Sequence, residues 1–120
     1  MKALECFHLA TADSGHYQLH INEFVDGFRG ALPEARGELI NDPLPSQEGR
    51  MEGLIAAVVS SLCRECDMPA PAWVGNTSSD EPFFVLPAKS FAMRVRLMIE
   101  SPPAFRIRRV FVPENYLSRA

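Results

Sequence analysis

Two short runs in this chain have spacings that could hold chemistry. "CREC" sets Cys63 and Cys66 three residues apart, and "HYQLH" sets His16 and His20 four apart. Thiols at i, i+3 can turn toward one ion or toward each other, and imidazoles one helical turn apart can chelate a divalent metal. Cys6 and His8 would be the other soft ligands, and Glu23 the carboxylate that completes a facial set with the two histidines. Each run also has a plainer reading. Positions 63 and 66 fall on an apolar helical stripe, where cysteine acts as a small hydrophobe. Tyr17 stands where the zincin pattern needs glutamate. The expectation is packing for the thiols and no resident metal or other cofactor, with His16, His20, Cys63 and Cys66 as the alternative metal- or small-ligand-binding set.

Nucleophilic and phosphate chemistry find less support. The chain has no G-x-S-x-G turn, and "GNTSSDE", with one glycine and no lysine, is no phosphate cradle. Asp80 and Glu81 read as a solvated turn. No enzyme activity is expected.

The remaining chemistry lies in arginines. Arg94, Arg96, Arg106, Arg108 and Arg109 crowd the last third of the chain, the latter three within "SPPAFRIRRVFV". Residues 89–120 hold seven basic and two acidic residues, whereas residues 1–88 hold five basic and thirteen acidic ones. Such a split fits a docking face for an acidic partner, or two ends that attract one another. Phosphates could be neutralised by the arginines and bases stacked on Phe105 or Phe111. A sequence pI near 5.6 argues against a dedicated nucleic-acid binder. These five arginines are therefore taken as a partner-binding set, with a protein favoured over nucleic acid.

The elements that must position these groups follow from periodicity. Met51, Leu54, Ile55, Val58, Val59, Leu62, Cys63 and Cys66 form one stripe of a helix over about 47–67, with Ser46 as N-cap and Pro69 beyond its end. Tyr17, Ile21, Phe24, Val25, Phe28 and Leu32 form a second, which must offset the cost of Gly27 and Gly30. Pro33 opens a short third helix ending before "NDPLPS". Residues 69–87, with four prolines, read as a long surface loop pinned by Trp73, Phe83 and Phe84. In "AKSFAMRVRLMIES" strand alternation competes with helix. Ala88, Phe91, Ala92, Val95, Met98 and Ile99 fit the helix, and residue propensity favours it. "FRIRRVFV" reads as extended, with Phe105 and Ile107, then Val110 and Val112, facing inward across a register break at Arg108 and Arg109, and "PENYLSRA" as a final helical turn. No element is assigned to the first twelve residues.

Taken together these elements predict a mainly α, single-domain orthogonal bundle of four to five helices spanning 1–120, with a long Pro/aromatic loop and a short extended C-terminal segment. The longest strongly apolar stretch, Met51 to Cys63, is shorter than the ~20 residues that cross a bilayer. Three cysteines and no secretion-type leader point to reduced thiols in the cytoplasm.

"PAPAWV" after a helix, followed by "MIESPPAFRIRRVFVPENYLSRA", resembles an uncharacterised family of small bacterial domains. These occur alone or attached to helix-turn-helix regulators. The resemblance runs from about Asn22 to Ala120 and is carried by Trp73 and by Pro102 to Phe111. It implies a bacterial, intracellular, mainly helical domain and brings no reaction, ligand or catalytic residue. The expected role is a non-catalytic interaction or accessory module, partner to a regulator or to a toxin–antitoxin system.

Overall fold

The computed structural model describes residues 1–85 and 90–118. The chain is mainly α-helical. Its helices of eight residues or more are α1 (Ala3–Ala12), α2 (Tyr17–Gly30), α3 (Pro33–Ile40), α4 (Arg50–Glu65) and α6 (Phe91–Glu100), and two four-residue turns, α5 (Ala72–Gly75) and α7 (Pro103–Arg106), lie between and after them. A parallel pair of two-residue strands, β1 (Phe83–Phe84) and β2 (Val110–Phe111), closes the chain, with Phe83 opposite Val110 and Phe84 opposite Phe111. The expected helical residues at Ala88 and Lys89, and the end of the expected final turn at Arg119 and Ala120, lie outside the described residues.

Helix α4 is the axis of the core. Residues 53–59 are buried without interruption, because α1, α2, α5, α7 and β2 all pack on it and the small residues Gly53, Ala56 and Ala57 admit neighbours on the side away from its large apolar stripe. It begins at Arg50, three residues later than the sequence suggests. The carbonyls of Gln47 and Glu48 accept the N–H groups of Ser78 (3.0 Å) and Asp80 (2.8 Å), so residues 47–48 are tied to the 78–80 loop outside the helix. That loop crosses so close to α4 that a Cβ on Gly53 would stand 2.6 Å from the Ser79 nitrogen.

Helix α2 buries Ile21, Phe24, Val25 and Phe28, the stripe read from spacing, while Leu32 lies beyond its end and is exposed. Its last carbonyls are satisfied from α3. Arg36 donates to Phe28 O (3.1 Å) and Arg29 O (2.9 Å), with its guanidinium over the Phe28 ring. Arg29 makes a two-pronged contact with Glu65 at 2.7 and 2.9 Å, joining α2 to α4 and holding that carboxyl below its ordinary range. Trp73 pins the long loop as expected. Its indole N–H donates to the carbonyl of Ile40, the last residue of α3, at 2.9 Å.

The ends of the chain differ from the sequence reading in three places. Helix α1 had no assignment, yet Ala3, Cys6, Phe7 and Ala10 step i, i+3, i+4, i+7 along its buried side. "FRIRRVFV" is not continuously extended. Pro102 and Pro103 set the backbone for a helical turn that buries Phe105, the chain reverses over 107–109 with Arg109 at φ 60°, and only then does β2 form. Ile107 is thereby turned outward, 72% exposed. The stretch after Val112 forms consecutive hydrogen-bonded turns, Tyr116 N to Pro113 O and Ser118 N to Asn115 O, in place of a helix.

Candidate protein-binding face

Helix α6 starts at a well-formed cap, with the Ser90 hydroxyl accepting the Met93 N–H at 3.1 Å. It stops at Ser101 and Pro102. The Ser101 hydroxyl, fully buried, accepts the Val112 N–H (2.9 Å) and lies within donating reach of Leu97 O (2.5 Å) and Val112 O (3.1 Å). The C-terminal end of α6 is thus fastened to the chain just after β2. Within the helix only Leu97 is buried, 4% exposed.

Most of the remaining apolar surface of α6 points the other way, with Met93, 45% exposed, standing apart on the side of Leu97. At 100° per residue, Met98, Phe91, Val95, Ile99 and Ala92 fall in one arc of about 120°, and Leu97 lies roughly opposite its centre. Phe91 is 83% exposed, Ile99 71% and Met98 44%, with Val95 half-buried between them. This is the stripe the sequence offers as evidence for a helix. Periodicity identified the element, but the stripe faces away from the core. Arg94 flanks it beside Met98, and Arg96 flanks it beside Ala92, paired with Glu100 at 3.1 Å. Phe91, Met98 and Ile99 were absent from the sequence-derived site; the signal for them was an apolar arc bordered on both edges by arginine.

The five arginines therefore do not form one surface. Arg94 and Arg96 border the outward stripe of α6. Arg106 is exposed on α7. Arg108 leaves the partner-facing set, because it is 7% exposed and its guanidinium donates to Ala104 O (2.7 Å) and Val74 O (3.1 Å), with Nε buried and unpartnered. Burial lowers its pKa. Arg109 is exposed and donates to Asp80 O at 3.1 Å. Arg108 and Arg109 bind backbone carbonyls, not the carboxylates of the acidic first 88 residues. Three of those acids pair with cations of the same first 88 residues, Asp42 with Lys2, Glu65 with Arg29 and Glu81 with Arg50.

The histidine and cysteine runs are organised differently from their metal reading. Asp13, in the corner between α1 and α2, accepts from His16 Nδ1 (3.0 Å) and His20 Nε2 (3.1 Å), so the carboxylate beside the histidines is Asp13 and not Glu23. The hydrogen bond from His16, then that from His20, lowers the Asp13 pKa. Cys63 is buried in the core and Cys66 half-buried, its thiol directed at Leu62 O at 3.1 Å. Burial pushes the Cys63 thiol up to about 11 and the Cys6 thiol up to about 12. Among the described residues no three His, Cys, Asp or Glu side chains gather where they could hold a metal ion.

An open cleft of about 370 Å³ lies between α1, the start of α4 and β1, lined by Ala10, Thr11, Tyr17, Arg50, Met51 and Phe83 among others. Three of its polar side chains are engaged: Tyr17 donates to Val85 O, Thr11 to Phe7 O, and Arg50 pairs with Glu81, while Ser14 also lines it.

Comparison with protein-family models, curated proteins and solved structures finds no match to this chain. Among the described residues no helix is long and apolar enough to cross a membrane.

Proposed function

We propose that this protein is a non-catalytic interaction module that engages a protein through the outward face of α6. The observation that carries the reading is the placement of Phe91, Met98 and Ile99 in solvent on one arc of a capped helix. Burying a side chain of this size contributes about 1.5–3 kcal/mol, so a helix that leaves several exposed forgoes stabilisation that a partner would restore. Anchors at i, i+4 and i+7 are the pattern by which a helix seats in an apolar groove. The non-catalytic part is supported by the thiols of Cys6 and Cys63, which burial keeps protonated and unreactive at neutral pH. The unpaired cysteines support a reducing compartment, the cytoplasm.

A photo-crosslinking residue placed at Ile99, and as a control at the exposed Leu19 of α2, tests this in the native cell. The expected result is a discrete crosslinked protein species from position 99 and none from position 19. Equal or absent crosslinking at both positions would count against the proposal.

A further inference from the structure

The cleft between α1, the start of α4 and β1 owes its shape to side-chain size. Ala10, Thr11 and Ser14 supply small side chains where α1 ends, and the larger Tyr17, Met51 and Phe83 come from α2, α4 and β1. The small side chains leave about 370 Å³ unfilled, within the roughly 300–1,000 Å³ of small-molecule sites. The apolar part of the lining is set in advance. Tyr17, Met51 and Phe83 are half-buried and pack on the core. The Tyr17 hydroxyl donates to Val85 O at 3.2 Å and the Phe83 N–H to Arg109 O at 2.9 Å, which holds the two rings 6.1 Å apart at 49°. Tilted aromatic surfaces of this kind suit the face or edge of a third ring.

The polar part of the lining chooses the charge of a ligand. The Thr11 hydroxyl returns to carbonyls of its own helix, Phe7 O at 2.9 Å and His8 O at 3.1 Å. The Ser14 side chain makes no hydrogen bond to a described residue, and Arg50 carries the only charge among the lining residues. Arg50 and its partner Glu81, 2.8 Å apart, are both mostly exposed, and an ion pair in solvent holds its members weakly. A ligand carboxylate can therefore take the guanidinium in place of Glu81, with the two parallel hydrogen bonds that a planar fork offers. An ammonium ligand would be repelled by Arg50. A phosphate dianion would find a single cation, with Glu81 and Asp13, the chain neighbour of Ser14, close by. We infer that the cleft binds a small aromatic monocarboxylate, with Arg50 holding the carboxylate and Tyr17 and Phe83 contacting the ring. None of its lining residues belongs to α6, so the site is independent of the protein-binding face.

Titration of the isotope-labelled full chain with phenylacetate, followed by amide chemical shifts, tests it. Saturable shifts at Thr11, Ser14, Met51 and Phe83 are expected, with a dissociation constant on the order of 100 µM to 1 mM. Phenylacetamide, which keeps the ring and loses the charge, and phenylethylamine, which reverses it, should bind about fivefold or more weakly. Arg50→Gln should weaken phenylacetate about tenfold and leave phenylacetamide unchanged. Glu81→Gln, by releasing Arg50, should tighten phenylacetate. Ser14→Leu fills the cleft from an exposed position and should remove binding with an unchanged circular dichroism spectrum. No saturation below about 10 mM, shifts confined to α6, acid and amide bound alike, or binding indifferent to Arg50→Gln or to Ser14→Leu would each overturn the site.

Discussion

Ser101 and Arg108 show how single polar side chains hold this small fold. One Ser101 oxygen satisfies the N–H of Val112 and has the Leu97 carbonyl within donating reach, all in the interior. Ser101→Ala leaves that N–H without an acceptor and is expected to cost about 1–3 kcal/mol in urea unfolding. Arg108 ties α7 to the end of α5 through two carbonyls. Arg108→Ala should cost about 2–3 kcal/mol, whereas Arg106→Ala, at an exposed position, should stay within about 0.5 kcal/mol. The sequence makes these two arginines indistinguishable, since both stand in one basic run; only the reversal at 107–109 sends one inward and the other out. Asp13 adds a pH dependence. Its pKa is lowered in the folded chain by the two histidine hydrogen bonds. Its stabilising contribution is therefore complete above the unfolded aspartate value of about 3.9 and is lost as pH falls through the lower folded value. Denaturation of the native chain and of Asp13→Asn between about pH 2 and 7 should show a stability gap that is constant near neutrality and closes in acid.

At the scale of elements, two glycines make opposite predictions. Gly27 lies on the exposed side of α2 with open space around its Cβ position, so Gly27→Ala should stabilise by about 0.5–1 kcal/mol. Gly53 faces the backbone of Ser79 at a distance no Cβ tolerates, so Gly53→Ala should destabilise by about 1–3 kcal/mol as the loop is pushed off α4. Thermal melts of both variants check the pair. The helices were legible where large apolar residues recur, as in α2 and α4. Helix α1 was not, because two of its four buried residues are alanines and its spacing is quieter than its composition. At the far end Pro102 and Pro103 lie just past the end of α6 and also start α7. The register break read at Arg108 and Arg109 is where the chain reverses, with a positive φ at Arg109, but the part before it is a helical turn and not extended chain. Helix α6 was foreseen as an element and its outward stripe was not, because periodicity reports amphipathicity and is silent on which molecule supplies the other side.

Across the whole molecule the first and last thirds are joined by direct contacts. Tyr116 donates to Gln18 (2.7 Å) and packs edge-on against Phe105, and Arg29 donates to the carbonyl of Leu117 (2.8 Å). Deleting residues 113–120 is expected to lower stability by roughly 2–4 kcal/mol while leaving a cooperative transition, measured by calorimetry. Arg108 and Arg109 are turned to backbone carbonyls and Arg96 to Glu100 of its own helix. Leu97 and Ser101 hold the α6 helix to the body. Residues that determine the fold and residues that meet the outside are consequently different residues on the same ten-residue segment. Substitution along Phe91, Val95, Met98 and Ile99 could change what the protein recognises at almost no cost to folding, so this face is free to diverge quickly while Leu97, Ser101 and Phe105 stay put.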